Sequence, residues 1–236
     1  MGHEMDGGAR DEALPTVPGL ELAARYRPAS PGAQVGGDWY DALAQSHGTT
    51  LVIGDVAGHD VGAAAQMGYL RAMLRGFAVD RAQAPSQLLG RLDRANLALG
   101  PGAVATALVA HLGPIGTAGT RLTWSSAGHY APVLVGQDGR AAQLAGRSDL
   151  LLGVDGRAPR TDHVAGVLAG ATLLLFTDGL VEVRGRSVAE RLAALCAAAS
   201  CAASQPLDVL LDSVLAAMAH EREQDDVAVL AARPVG

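Results

Sequence analysis

Alternation of apolar and polar residues sets the start of the chain. Over 20–27, Leu22 and Ala24 oppose Glu21, Arg25 and Arg27, the period-two pattern of a half-buried strand, and Pro28-Ala29-Ser30-Pro31-Gly32 ends it. Residues 35–42 and 49–56 read as two further strands, the latter almost wholly apolar, as a strand buried on both faces is. The period then changes. Across 61–79, Ala63, Met67, Leu70, Leu74 and Phe77 follow at steps of four, three, four and three, with Arg71 and Arg75 off that stripe, which predicts an amphipathic helix. Pro85 and Ser86 open a second helix with Leu88, Leu92, Ala95 and Leu99 turned inward, stopped by Gly100-Pro101-Gly102.

Short apolar runs follow at 103–112, 121–126, 131–135 and 141–144, separated by turn signals at Gly113-Pro114, Gly119 and Asp138-Gly139. Gln137-Asp138-Gly139-Arg140 between two of these runs is a hairpin signal. Residues 173–176 read as a buried strand, 188–199 and 206–219 as helices, and 227–230 as a closing strand. Leu207, Leu210, Leu211, Val214, Leu215 and Met218 share one face of the last helix. Strands, two helices, strands, two helices, strand is not the strict alternation of a doubly wound parallel sheet. It predicts an α+β fold, two antiparallel sheets stacked face to face with a helix pair outside each. Residues 1–18, with Pro15 and Pro18, read as a disordered leader, and 19–236 as one domain without internal repeats.

Composition narrows the function classes. A net charge of -6 with no Lys/Arg cluster argues against nucleic acid and against an anionic membrane surface. The longest apolar stretches, such as 164–176, are too short and glycine-broken to span a bilayer, and no signal segment opens the chain. The cytoplasm is the expected compartment. Cys196 and Cys201, five apart on one predicted helix, point to different sides and read as small core hydrophobes rather than a disulfide.

The chemistry lies at strand ends. Leu51-Val52-Ile53-Gly54-Asp55 and Leu173-Leu174-Leu175-Phe176-Thr177-Asp178 each run from apolar residues into one carboxylate, Gly36-Gly37-Asp38 precedes another, and Asp225-Asp226 stands before the last strand. A buried carboxylate needs a cation, a hydrogen-bond cage or a surface position. If the four segments converge, they make a hard-cation site, and carboxylates without paired His or Cys select Mg²⁺ or Mn²⁺ over zinc. Asp55, beside Gly54 and Gly58, suits a ligand bridging two ions, with the Val56 carbonyl as a further ligand. Other readings stand beside these. Asp38 could close a Gly-Gly turn, Asp55 and Asp178 could cap the segments that follow, and Asp225-Asp226 could be a solvated acidic turn. Asp41, three residues after Asp38, must face the other way on one strand and reads as a surface acid or turn residue. His59 suits a proton shuttle or a structural role, and His129 a turn anchor more than a catalyst. Arg25 and Arg27 read as solvated surface charges rather than phosphate contacts.

Five motifs in order carry a resemblance. Val35-Gly36-Gly37-Asp38-Trp39-Tyr40-Asp41, Ile53-Gly54-Asp55-Val56-Ala57-Gly58-His59, Ser126-Ala127-Gly128-His129-Tyr130-Ala131-Pro132, Phe176-Thr177-Asp178-Gly179-Leu180-Val181-Glu182 and Asp225-Asp226-Val227-Ala228-Val229 together resemble the SpoIIE/RsbU-type metal-dependent serine/threonine protein phosphatases of the PPM family. The resemblance runs from about residue 19 to 232. It implies an αββα sandwich and two manganese or magnesium ions. Asp38 would bind one ion, Asp55 would bridge both with the Val56 carbonyl assisting, and Asp178 and Asp225 would complete the second shell. Asp55 and Asp38 thereby become the expected catalytic residues. Water activated by the two ions would attack phosphoserine or phosphothreonine without a phosphoenzyme. The usual substrate in this branch is a phosphorylated anti-sigma-factor antagonist, a small STAS-like regulator that works by partner switching. Members often dimerise through helices, so a homodimer is open, although no heptad seam is present.

Three departures from the family pattern support an alternative. Asp60 stands where glycine is usual, Ala228 where Thr or Ser follows the acidic pair, and 183–187 is short where an element often covers the site. A catalytically weak or silent module that grips a STAS-type antagonist or an anti-sigma partner would tolerate all three. Hydrolysis of a small phosphoester is the poorer third reading, because no aromatic or basic pocket cluster is visible.

Overall fold

The computed structural model describes residues 14–28, 36–58, 61–100, 102–219 and 225–235. The chain runs β1 (Leu20–Arg27), β2 (Asp38–Gln45), β3 (Gly48–Val56), α1 (Val61–Asp80), α2 (Pro85–Leu99), β4 (Ala105–Leu112), β5 (Gly119–Ala127), β6 (Val133–Val135), β7 (Ala141–Gln143), β8 (His163–Leu168), β9 (Thr172–Phe176), α3 (Val188–Cys201), α4 (Leu207–Met218) and β10 (Val227–Pro234). The strands form two antiparallel sheets, β1-β10-β9-β6-β7 and β2-β3-β4-β5-β8. The expected αββα sandwich is the observed architecture. Among the described residues no helix is long and apolar enough to cross a membrane.

Side-chain alternation divides the core into three layers. On β3, Leu51 and Ile53 face the first sheet while Val52 and Val56 face α1 and α2. On β10, Ala228, Leu230 and Ala232 lie between the sheets, and Val227, Val229 and Ala231 meet α3 and α4. Both faces of these strands are covered, which is why their sequences read as continuous apolar runs. Each fully buried leucine here is worth roughly 1.5–3 kcal/mol, against at most about 1 kcal/mol for a surface ion pair, so the layers rather than surface charges hold the fold.

Several expectations are corrected. The strand expected at 173–176 is β9, but the apolar stretch ahead of it holds a further strand, β8, that belongs to the other sheet. Ala169 and Gly170, the latter at φ +81°, carry the chain across. On α2 the inward face is Leu88, Leu89, Leu92, Asp93 and Asn96, while Leu99 is exposed. The reason is local. Asn96 Nδ2 donates to the Ala103 carbonyl at 2.8 Å and its Oδ1 accepts from Ala103 N at 3.0 Å, so a polar side chain holds the exit loop where an apolar one was expected.

Asp41 is neither a surface acid nor a turn residue. It is buried on the helix side of β2, where Arg75 Nη1 donates to both its oxygens at 3.0 and 2.9 Å and Arg71 Nε lies 3.4 Å away. Burial pushes its pKa up and Arg75 pulls it back. Arg25 is not simply solvated; it donates to Asp208 and Asp212 on α4 at 2.9 and 2.8 Å. Cys196 and Cys201 are unbonded thiols, and Cys201 is exposed rather than in the core. Leu14 and Val17 pack against the inter-sheet layer, so packed chain begins ahead of residue 19. The rest of the expected leader, 1–13, lies outside the described residues.

Candidate metal centre

β2 and β3 pair so that Asp38 and Asp55 are register partners at one end of the second sheet. Alternation turns both toward the first sheet, on the same side as Leu51 and Ile53. From that sheet, β9 ends at Phe176, and Thr177 leads into a short 3-10 turn, Asp178–Leu180. One carboxylate oxygen from each of Asp38, Asp55 and Asp178 lies within 4.8 Å of the other two. Carboxylates from both sheets therefore meet in the gap between them.

The residues fit a divalent cation on two further grounds. Asp38 Oδ2 and Asp178 Oδ1 are buried without a hydrogen-bond partner, a costly arrangement for carboxylates that a cation relieves. Gly37 leaves an open cradle beside them. A β-carbon there would collide with the Val56 carbonyl oxygen and come within 2.9 Å of Asp55 Oδ1 and 3.0 Å of the Gly58 carbonyl oxygen. Oxygen donors thus converge on a space that only glycine keeps clear. Replacing Gly37 with alanine is expected to displace the Val56 carbonyl and Asp55 by a fraction of an ångström and to weaken Mn²⁺ binding about 10-fold or more. Calorimetric titration of Mn²⁺ beside a melting curve separates this loss from unfolding.

The electrostatics agree. Burial and then the Asp178 charge raise the Asp55 pKa to about 7. Burial and then Asp225 raise Asp178 to about 6, and burial with Asp55 raises Asp38 well above the carboxylate range. In the metal-free protein the folded state therefore binds more protons than the unfolded chain between about pH 4 and 7, and stability falls as pH rises through that window. Mn²⁺ stabilises the ionised form. Thermal unfolding is expected to show a larger Mn²⁺-induced rise in Tm at pH 7.5 than at pH 5. Asp55→Asn should flatten the pH slope of the chelator-treated protein.

The second acidic pair divides. Asp226 is buried, and a β-carbon at Gly36 would overlap its Oδ2 and reach within 2.9 Å of the Tyr26 hydroxyl oxygen. Asp225 is exposed and accepts from Asp226 N at 2.9 Å. It lies outside the tight group of three, but its charge acts on Asp178 and Asp55. Gly179 permits this approach, since a β-carbon there would collide with the Asp226 carbonyl oxygen.

Thr177 gave no signal in the sequence beyond its place in a motif. Its Oγ1 accepts from Ala228 N at 2.8 Å and donates to the Ala228 carbonyl at 3.4 Å, and its nearness to Asp38 pulls the Asp38 pKa back down. It serves the backbone at Ala228, where the family often has a hydroxyl residue. Trp39 is a core residue whose ring packs on Gly54. His129 is buried, with Thr106 and the Phe176 carbonyl as its ring partners. His59 and Asp60 lie outside the described residues. Only 181–187 separate the 3-10 turn from α3, so little chain is available there to cover the cluster.

Comparison with known proteins gives a consistent family. The model described as Stage II sporulation protein E (SpoIIE) matches residues 45–235. The RsbU and RsbW domains of Rv1364c from Mycobacterium tuberculosis superpose with a TM-score of 0.82 at 33% identity, over 94% of this chain and 62% of that one. This chain thus spans less than two thirds of that relative. The SiaA-PP2C domain of Pseudomonas aeruginosa shares the fold at TM-score 0.72 and 21% identity, over 90% of this chain and 84% of that one. The catalytic domain of the serine/threonine phosphatase PstP, in complex with two manganese ions, does so at 0.60 and 18%, over 92% and 99%. Manganese or magnesium is typical of such phosphatases, and the Asp38–Asp55–Asp178 group is a donor set suited to either. The paired sheets, the carboxylates they bring together and the match over most of the sequence lead to one assignment: the chain belongs to the SpoIIE family, the SpoIIE/RsbU-type PPM (PP2C-type) serine/threonine phosphoprotein phosphatases.

Proposed function

We propose that the protein hydrolyses phosphoserine or phosphothreonine on a regulatory protein with two manganese or magnesium ions. The observation that carries this reading is the meeting of Asp38, Asp55 and Asp178 within 4.8 Å. Asp38 would hold one ion, Asp55 would bridge both with the Val56 carbonyl, and Asp178 and Asp225 would serve the second. Asp225 is preferred to Asp226 because Asp226 is buried behind Gly36. When bound, the ions supply positive charge to the phosphoryl oxygens and lower the pKa of water. In the hydrolysis, water oxygen forms the new bond to phosphorus, the bond to the serine or threonine oxygen breaks, and that oxygen leaves with a proton. The Thr177 hydroxyl is occupied by the Ala228 backbone, N–H and carbonyl, which supports water rather than a side chain as nucleophile.

The short 181–187 segment beside the cluster suits a protein substrate better than a small phosphoester. A phosphorylated STAS-like antagonist of an anti-sigma factor is the substrate class the family resemblance supports, and the Mycobacterium tuberculosis relative carries an RsbW domain beside its RsbU domain. The test is Mn²⁺-dependent phosphate release from a phosphoserine peptide and from p-nitrophenyl phosphate. A pull-down of a STAS protein that survives chelation, with no turnover of any phosphoprotein, would instead establish the binding module suggested by the short 181–187 segment.

A further inference from the structure

His129 makes a connection that the carboxylates themselves lack. The two sheets are each held by their own backbone ladders, but between them the contacts are mostly apolar and non-directional. The cation donors come from both sides, Asp38 and Asp55 from the second sheet and Asp178 from the first. Their separation thus depends on whatever fixes one sheet relative to the other at this end. His129 is buried there. Its Nε2 donates to the Phe176 carbonyl oxygen at 3.0 Å, two residues before Asp178. Its Nδ1 accepts from Thr106 Oγ1 at 2.8 Å, and Thr106 is the register partner of Asp55 on β4. A carbonyl can only accept, so Nε2 carries a proton; burial holds the imidazole pKa down to about 4, so Nδ1 carries none at neutral pH and the hydroxyl donates to it. The turn that presents the ring is itself closed: Ser126 Oγ donates to the His129 carbonyl at 2.7 Å and accepts from His129 N at 3.1 Å.

We propose that His129 is a positioning residue, a tie between the sheets that holds Asp178 at coordinating distance from Asp55 and Asp38 and so sets the affinity for the divalent ion. The proposal rests on the metal reading above. Hydrogen-bond partners behind a metal ligand typically change affinity by about 10–100-fold, and His129 acts one step further out, through the backbone at Phe176 and the side chain at Thr106.

The test is calorimetric titration of Mn²⁺ into the full chain, with melting curves for every variant. His129→Leu removes both bonds and is expected to weaken Mn²⁺ binding about 10–100-fold. Thr106→Val removes one and should weaken it in the same direction. His129→Gln offers an amide donor and acceptor in similar places and should recover affinity to within about threefold of wild type. Leu210→Ala, in the layer between the first sheet and α4, should lower Tm and leave the affinity unchanged. Wild-type Mn²⁺ affinity in His129→Leu, or an equal loss in Leu210→Ala, would overturn the tie. If His129→Leu does not fold, wild-type affinity in Thr106→Val does the same. Absence of Mn²⁺ binding by the wild-type protein would instead defeat the metal reading beneath it.

Discussion

Asp55→Ala is expected to lower kcat for a phosphoserine peptide by about 10³-fold or more, with little change in the fold. The side chain lies at the end of β3, opposite Asp38 and facing Asp178, so its removal takes away the donor proposed to bridge the two ions. Stability should hold or rise in the metal-free state, because one of three mutually repelling carboxylates is gone. Asp178→Ala should fall in the same direction. Phosphate release with Mn²⁺, compared across wild type and both variants, decides the matter, and equal rates in all three would defeat the mechanism.

The second large effect is on stability. Asp93 on α2 and Arg160 form a buried pair at 2.6 Å, both side chains almost wholly enclosed. Asp93 also accepts from Gly153 N at 2.8 Å, and Arg160 also donates to the Leu150 carbonyl. Together they fasten the irregular stretch between β7 and β8 onto α2. Asp93→Ala leaves the guanidinium enclosed without its counter-charge and is expected to cost about 3–5 kcal/mol. The double variant Asp93→Leu with Arg160→Met should recover much of that loss, since apolar replacement of a buried pair is often neutral. Urea unfolding midpoints of the two variants would show it, and a single variant within about 1 kcal/mol of wild type would remove Asp93 as a fastening point.

Strand and helix positions were legible because burial leaves a period in the sequence, and most predicted elements match the observed ones to within a few residues. The cluster was legible because its acids terminate apolar runs in a family-specific order. Periodicity says that a residue is covered but not by what. It could not tell that β8 and β9, continuous in hydropathy, lie in different sheets, nor that Ala169-Gly170 is the crossing point. Asp41 was misplaced for the same reason. Its facing opposite to Asp38 was readable from strand geometry, but its arginine partner lies 34 residues away on another element. Thr177 and His129 act through backbone groups on distant strands, and no local pattern marks such contacts.

The pairing of Asp38 with Asp55 has one more implication. Both acids belong to a single hairpin near the start of the domain, so half of the ion's cage exists as soon as neighbouring strands zip together. Asp178 reaches it only when the other sheet, whose β9 and β10 come from far later sequence, closes over the first. On the proposed metal reading, loading of the ion would report that the two sheets have come together, since a half-folded chain would offer the ion only one side of its seat.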